Sequence, residues 1–322
     1  MRTPSRQTIE TTASPVPIAA GTVIAGRYEV LETVERPAGY ARYAARHTAL
    51  GSDILLTELP VDIVRQPRHL ARVEAAVAGG ARLRHDHILP VLDLVGDGDR
   101  HFVVESFDAA VRLDRAIAAG VLVAPHALHV ARQLADALAY AHECGVVHGA
   151  LHPANVLIEV GRPPRARLHG FALAALAVDG GPVPDDLLAY TAPELLAGQA
   201  VDVGADVFAL GQLLFELFEG RPFLSGSASE IAAFLREGTG PLVPAFSGIV
   251  PAGVSSLVRR AIRRNPGQRY QRMVHVRADL DACLRSVAQR PAAAAAPAPA
   301  TAESPKREAA AAASRVEPPA PA

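Results

Sequence analysis

The segment HGALHPANVLI, residues 148–158, decides how this chain of 322 residues is interpreted. It joins a loop that contains two histidines, a proline and an asparagine to a short apolar run. Upstream, residues 27–106 alternate like short strands with one helical interruption, whereas from about residue 113 apolar residues recur at helical spacing. Strands followed by helices predict an α+β fold, and the segment lies in its helical half.

Composition and charge exclude several classes of protein. Half of the chain is apolar, and the net charge of −1 argues against a nucleic acid or an anionic membrane bound through bulk electrostatics. No run reaches the roughly 18 uncharged apolar residues that a membrane helix needs. Cys144 and Cys283 imply no disulfide framework, which fits a reducing compartment, so we expect a cytoplasmic protein.

Three regions of the chain differ in composition. Residues 1–22 are rich in Ser, Thr and Pro without periodicity, which predicts a disordered tail. Residues 289–322 consist mostly of Ala and Pro, which predicts a second disordered tail. The region 23–288 carries the strand and helix patterns, and we expect it to fold.

Eight short motifs follow one another between about residues 24 and 288. In chain order they are IAGRYEVLETV, LRHDHILPVLDL, HGALHPANVLI, HGFALA, YTAPELLAG, ADVFALGQLLFEL, GRPF and NPGQRYQ. The ordered set resembles the bacterial serine/threonine protein kinases of eukaryotic type, of which this chain looks like a degenerate member. The resemblance implies a two-lobed protein-kinase-like fold. A β-rich N-terminal lobe would occupy about 23–106 and an α-helical C-terminal lobe about 107–288.

The phosphate-binding loop of that family is altered here. Its three glycines correspond to Glu35, Pro37 and Tyr40, and its valine corresponds to Arg42. Glycine serves there because backbone N–H groups approach phosphate closely, and proline has no N–H to give. Glu35 would also place a negative charge beside a polyanion. We therefore expect ATP and Mg²⁺ binding to be absent or weak.

The lysine that pairs with phosphates in the family corresponds to Thr57, and the small residue over the adenine corresponds to Leu55. The glutamate partner of that lysine falls near Ala76, with Glu74 two places away on another helix face. The remaining positions expected to line the cleft are Val104, Glu105, Asn155 and Leu157.

The chemical groups of the family are missing from the quoted segment and its neighbour. The catalytic aspartate corresponds to Ala150, the following lysine to His152 and the metal-binding aspartate to Gly170. Of the two metal-holding residues only Asn155 is present, and one neutral amide is a poor site for a hard dication. We therefore expect no catalytic residue and no metal site.

Positions that support the fold in the family are present. His148 and Phe171 match two members of the apolar spine that joins the lobes. Asp206 matches the buried aspartate that caps the backbone of the catalytic loop. Glu194 matches the glutamate that pairs with an arginine, here Arg269.

This pattern favours a pseudokinase that is not an enzyme and that acts as a protein-binding scaffold or regulator in kinase signalling. One alternative is a divergent serine/threonine kinase with weak ATP binding and residual phosphotransfer. A second is a small-ligand or metal site in the altered cleft, near His148, His152 and His169. For these three we favour one core histidine and two surface histidines, with His152 facing solvent.

The expected partners are proteins, either an active serine/threonine kinase or a phosphothreonine-reader domain, and not nucleic acid or a membrane segment. The candidate phosphorylation sites are Thr8, Thr11 and Thr12 in the N-terminal tail. A phosphate there would add about −1.5 to −2 charges and create a site for an arginine-lined reader.

Overall fold

The computed structural model describes most of the folded region and short parts of its flanks. The described ranges are 16–35, 40–107, 110–159, 161–173, 183, 185–238, 242–248, 250–251 and 253–289. Thr8, Thr11, Thr12 and Pro37 lie outside these ranges, as does the side chain of Glu35.

The N-terminal lobe is built on one antiparallel sheet with strand order β1-β2-β3-β4-β6-β5. The strands are β1 (Val23–Ile24), β2 (Tyr28–Glu35), β3 (Ala41–His47), β4 (Asp53–Glu58), β5 (Val91–Asp97) and β6 (Arg100–Ser106). Strand β2 pairs antiparallel with β3 and forms a hairpin of the sheet. Each strand is rich in the branched and aromatic residues that favour a pleated, half-buried surface.

Alternate residues of these strands face opposite sides of the sheet. Tyr43, Leu56 and Val104 pack together in the cluster on the outer face. Arg42, which is next to Tyr43, and Thr57, which is next to Leu56, face the C-terminal lobe instead. Val104 was predicted to line the cleft, and this prediction is wrong, because the two-residue period places it on the opposite face.

Residues 16–22 were predicted to be part of the N-terminal tail, but they pack on the sheet. Ile18 is buried among the outer-face residues. The Gly21 N–H donates to the Val30 carbonyl at 2.8 Å, so backbone hydrogen bonding with β2 begins before the first residue of β1. Composition alone missed this because the segment is held by backbone hydrogen bonds, which a Ser/Thr/Pro count does not measure.

Two helices, α1 (Val61–Val64) and α2 (Pro67–Gly80), lie between β4 and β5. Gly79 and Gly80 lie in the last turn of α2. Gly80 comes so close to Val91 that a Cβ atom would stand 2.8 Å from Val91 Cγ2. The glycine therefore permits close packing of the helix against the sheet.

The C-terminal lobe contains a small sheet and the remaining helices. The sheet has the order β7-β8-β9, with β7 (Val111–Arg112), β8 (Val156–Glu159) and β9 (Arg165–Leu168). The helices are α3 (Leu113–Ala118), α4 (Ala124–Glu143), α5 (Asp185–Leu188), α6 (Pro193–Leu196), α7 (Val203–Glu219), α8 (Ala228–Glu237), α9 (Val254–Ala261) and α10 (Met273–Ala288).

Helices α4 and α7 pack together at the centre of this lobe and supply much of its core. Helix α7 is buried on nearly all sides, as its continuous apolar sequence predicted. Asp202 caps its first turn, and Gly220 ends it in the left-handed conformation that glycine adopts at low cost. The predicted α+β, two-lobed architecture is confirmed. In the described ranges, no helix is both long and apolar enough to cross a bilayer.

The two glycines of α2 allow a matched test of this packing. Gly80→Ala should lower the free energy of unfolding by about 1–3 kcal/mol, because its methyl group overlaps Val91. Gly79→Ala should be neutral or raise it by up to about 1 kcal/mol, because its Cβ meets Val146 only at 3.4 Å and alanine favours the helix. Chemical denaturation measures both. Equal midpoints for the two variants would contradict the close approach.

Candidate functional site

The loop at the start of the quoted segment is held by one buried carboxylate. Asp206, in the first turn of α7, accepts the His148 N–H at 2.9 Å and the Gly149 N–H at 2.7 Å. His142 Nε2 donates to the same carboxylate at 2.7 Å. Gly149 has φ +65°, a conformation that a larger residue adopts only with strain. The loop backbone is therefore fixed from the centre of the C-terminal lobe.

His148 joins this loop to the next one. Its Nδ1 accepts from the Ala150 N–H at 3.2 Å and its Nε2 donates to the His169 carbonyl at 2.9 Å, so the ring is neutral. Burial lowers the pKa of His148, and this outweighs the attraction of Asp206 for a proton. The ring also meets Phe171 edge to face at 4.7 Å between centroids.

Asn155 links the loop to the N-terminal lobe. Its Nδ2 donates to the Ala150 carbonyl at 2.7 Å, which fixes the orientation of the amide. Its Oδ1 accepts from Arg42 Nη2 at 2.7 Å. Arg42 comes from β3 and lies over the Tyr40 ring at 5.2 Å from its centroid. An arginine that is only 1% exposed thus spans the cleft between the lobes.

Arg42 and Thr57 are direct cross-strand partners on β3 and β4. Thr57 is buried, and among the described residues its hydroxyl has no hydrogen-bond partner. The positive charge that the resemblance expects at position 57 is therefore supplied by the residue beside it on the same face. Ala76 is half-buried and Glu74 is exposed on α2, so Glu74 does not enter the cleft.

Glu105 is the buried carboxylate of the cleft. Its Oε1 accepts the Gly170 N–H at 2.7 Å, and its Oε2 lies 3.9 Å from His169 Nδ1. Burial raises the pKa of Glu105, but His169, the Gly170 N–H and Arg42 together lower it below its ordinary value. The carboxylate is therefore charged and faces two positively polarised neighbours.

The three histidines near the cleft are all buried, so the interpretation with two surface histidines is wrong. His152 is only 3% exposed, although it was expected to face solvent. Burial first, and Arg42 second, lower the pKa of His152 well below its ordinary value, so it is neutral. Within the described ranges, His148, His152 and His169 belong to no group that could hold a metal ion.

A cavity of about 350 Å³ opens between the lobes. Its lining includes Arg42, Leu55, Arg112, Arg115, Leu157 and His169. Leu55 and Leu157 were predicted at the cleft and line it, whereas Tyr40 is buried beside Arg42 and is not among the lining residues. Arg112 and Arg115 were not predicted, although two arginines three residues apart at the start of α3 are a recognisable signal for one helix face.

Comparison with known proteins identifies the architecture. The model of the protein kinase domain matches residues 65–277, which is more than half of the chain. This chain belongs to the protein kinase domain family. The kinase domain of PknI from Mycobacterium tuberculosis, a solved structure, is 26% identical with a TM-score of 0.66, over 84% of this chain and all of that one.

Curated relatives of this kinase domain are named as serine/threonine protein kinases. A probable one from Streptomyces coelicolor is 28% identical over 81% of this chain and 40% of its own length. PknB of Mycobacterium tuberculosis is 27% identical, over 80% and 43%, and PrkC of Bacillus subtilis is 27% identical, over 81% and 41%. The chain thus spans about two fifths of the length of these relatives.

The prediction that the chain is not an enzyme is contradicted by these comparisons. The matched family is the protein kinase domain, and the relatives are named as kinases. The physical weakness of that prediction is visible in the cleft. The prediction was based on residues that are missing from motif positions. However, Arg42 on β3 supplies a buried positive charge beside Thr57 on the neighbouring strand β4.

A divalent metal ion of the kind that kinases use with ATP does not fit the side chains at the expected metal position. Asn155 Oδ1 accepts a hydrogen bond from a guanidinium, and Gly170 offers an N–H, which is itself bonded to Glu105. A hard dication needs several oxygen ligands, which these groups do not present.

Away from the cleft, Glu194 and Arg269 form a buried ion pair. Their two bonds measure 2.5 and 2.7 Å, and neither side chain is more than 5% exposed. Arg269 also donates to the carbonyls of Arg263 and Gly204, and it lies over the Phe208 ring. The geometry is the bidentate one that favours arginine over lysine.

Removing either partner of this pair should lower the free energy of unfolding by about 3–5 kcal/mol, because the other charge is left buried alone. Denaturation of Glu194→Ala and Arg269→Ala measures the loss. Arg46→Ala is the matched control, since Arg46 pairs with Asp53 at 2.9 Å but is half exposed, and it should lose about 1 kcal/mol or less. Similar losses in all three variants would show that the buried pair has no special role.

The buried histidines predict how stability depends on pH. The folded protein holds His148 and His152 neutral, whereas the unfolded chain protonates them near their ordinary pKa of about 6.5. The unfolded state therefore binds more protons below that pH, and stability should fall as pH drops from about 7 to 5.

Each such histidine contributes up to about 1.4 kcal/mol per pH unit in this window. His152→Gln should make the fall less steep, whereas His275→Gln, at an exposed position, should keep the wild-type slope. Urea denaturation across the pH range gives the slopes. A wild-type slope for His152→Gln would contradict a buried neutral His152.

Proposed function

We propose that the chain is a divergent serine/threonine protein kinase that binds ATP weakly and transfers phosphate slowly to protein substrates. Membership of the protein kinase domain family and the kinase names of its relatives support the reaction class. The observation that carries the proposal is the pairing of Arg42 with Thr57 across β3 and β4. It gives the cleft a buried cation beside the position where the family has its phosphate-binding lysine.

The altered residues explain why the transfer is expected to be slow. Ala150 replaces the base of the family, and its methyl group cannot accept a proton. The loss of a positioned base costs about 10²–10⁴ in rate. Leu55 lines the cavity and leaves less room for the planar adenine ring of ATP than a small residue would. Weak binding and slow chemistry therefore have separate causes.

The loop that contains Ala150 is still held in a fixed conformation, although it lacks the catalytic base. Asp206 and His148 fix its backbone, and Asn155 ties it to Arg42 of the other lobe. Positioning alone contributes substantially to phosphoryl transfer, because the protein does little covalent chemistry in that reaction. We therefore expect a turnover at least about 100-fold below the 1–100 s⁻¹ typical of kinases.

Labelled phosphate transfer from ATP to generic protein substrates tests the proposal. Val111 lines the cavity and is 46% exposed, so Val111→Trp should block the cleft without disturbing the core. Val121→Trp is the matched control, because Val121 is 50% exposed and is not among the cavity-lining residues. Slow incorporation is expected for the wild type and Val121→Trp, with a marked loss for Val111→Trp.

Equal incorporation by all three proteins would point to a contaminating kinase and would contradict the proposal. A wild type that transfers no more label than Val111→Trp would contradict it as well. Because both substitutions exchange an exposed valine for tryptophan, a difference between them reflects the cleft and not the added aromatic surface.

We further propose that the chain engages protein partners, either an active kinase or a phosphothreonine-reader domain, through its N-terminal tail. The support is the position of Thr8, Thr11 and Thr12 in residues 1–15, where Glu10 directly precedes the pair Thr11 and Thr12. Mass spectrometry of the protein from its native cell should find phosphate on this tail. An unmodified tail, together with unchanged partner capture after its deletion, would refute this part.

A further inference from the structure

The charges around the interlobe cavity are unusual for a site that takes up a divalent cation. Arg42, Arg112 and Arg115 line it, and the one carboxylate among its lining side chains within the described ranges is Glu32. Carboxylate oxygens are the groups that attract a hard cation into a protein site. Among the lining side chains the arginines outnumber the carboxylates, which favours an anion over a metal ion.

The innermost of these cations, Arg42, is held rigidly in place. Asn155 Oδ1 accepts one of its N–H groups at 2.7 Å, and the Tyr40 ring lies against its guanidinium. The Asn155 amide cannot rotate away, because its Nδ2 donates to the Ala150 carbonyl. A cation fixed in this way needs little reorganisation to meet an anion, since its conformational freedom is already lost.

The other two lining cations, Arg112 and Arg115, differ in their exposure to solvent. Arg112 is 22% exposed and makes a bidentate pair with Asp114, at 3.0 and 2.8 Å. Arg115 is 78% exposed and lies 3.9 Å from the same carboxylate. Arg115 is therefore available to an incoming anion at the mouth, whereas Asp114 partly neutralises Arg112.

The other titratable groups near Arg42 do not reverse this balance. Glu105 is charged, but its Oε1 is bonded to the Gly170 N–H and its Oε2 faces His169. His152 is neutral and adds no positive charge. Glu105 therefore offsets part of the Arg42 charge, but it is not among the lining residues, whereas the Arg42 guanidinium lines the cavity itself.

We propose that this cavity binds a phosphate-bearing ligand without a divalent cation, with Arg42 as the fixed countercharge and Arg115 as the cation at its mouth. The inference rests on the nucleotide cleft of the proposed function and specifies the form in which the ligand binds. A guanidinium matches phosphate oxygens bidentately, and it occupies the amide oxygen that a metal would need. Complexation with Mg²⁺ removes negative charge from the phosphates, so the metal should weaken binding.

Calorimetric titration of the full chain at constant ionic strength tests this inference. The probes are ATP, ADP, inorganic tripolyphosphate and adenosine, each with EDTA or with excess Mg²⁺. ATP and ADP should bind more tightly with EDTA than with excess Mg²⁺, and adenosine should bind far more weakly than either. Binding of tripolyphosphate would identify the phosphates as the recognised part, whereas binding of ATP and ADP alone would add the nucleoside.

Three variants assign the effect to the arginines. Arg42→Val, which installs the residue that the family has there, should weaken metal-free ATP binding about tenfold or more, since a charge-assisted hydrogen bond is lost. Arg115→Ala should weaken it by a smaller factor and, being largely exposed, should fold normally. Arg46→Ala lies on the same strand but pairs with Asp53 at the surface, and it should bind as the wild type does.

Several outcomes would overturn the inference. One is binding that requires Mg²⁺, and another is metal-free binding that neither Arg42→Val nor Arg115→Ala weakens. A wild type that binds no phosphate ligand while Arg42→Val does would show that Arg42 closes the cavity. Magnesium-dependent phosphate transfer without metal-free binding would refute this inference alone. Metal-free binding without any transfer would refute the proposed function and leave this inference standing.

Discussion

The cleft depends on the hydrogen bonds that the buried carboxylate of Asp206 accepts. A charge with no exposure to water is tolerated only if hydrogen-bond donors surround it, and here the His148 and Gly149 N–H groups and the His142 ring do so. Those two N–H groups belong to the loop that carries Ala150 and Asn155. The need to solvate one carboxylate therefore fixes the loop, and the fixed loop orients the amide that meets Arg42.

The contact between Arg42 and Asn155 then couples the lobes. An arginine buried on one face of the sheet requires acceptors, and one acceptor, Asn155 Oδ1, belongs to the opposite lobe. This contact explains two features together. The cleft has a permanent positive charge, and the amide oxygen that a metal ion would use is already engaged. Both features come from one side chain, and the proposed preference for metal-free anions rests on them.

The sequence was sufficient for the fold and for the supporting contacts. The strand-rich and helical regions follow from local periodicity, and the pairing of Glu194 with Arg269 follows from the resemblance to the kinase family. Contacts across the sheet and the cleft did not follow, because they depend on register. Arg42 and Thr57 stand opposite each other on two different strands, and no pattern within one strand reports that pairing. Val104 was misplaced for the same reason, since a shift of one residue reverses the face.

The same limitation explains why missing motif residues gave the wrong expectation about enzyme activity. A motif records which residue occupies a position, whereas electrostatics depends on where charge lies in space. Thr57 lacks a charge, but the guanidinium of Arg42 enters the same face of the sheet from the neighbouring strand and is shielded from water. In a site of low dielectric constant, a charge displaced by one strand spacing of about 5 Å still interacts strongly with a bound anion. Loss of the lysine is therefore not loss of the positive charge, and the proposed binding of phosphate rests on this retained charge.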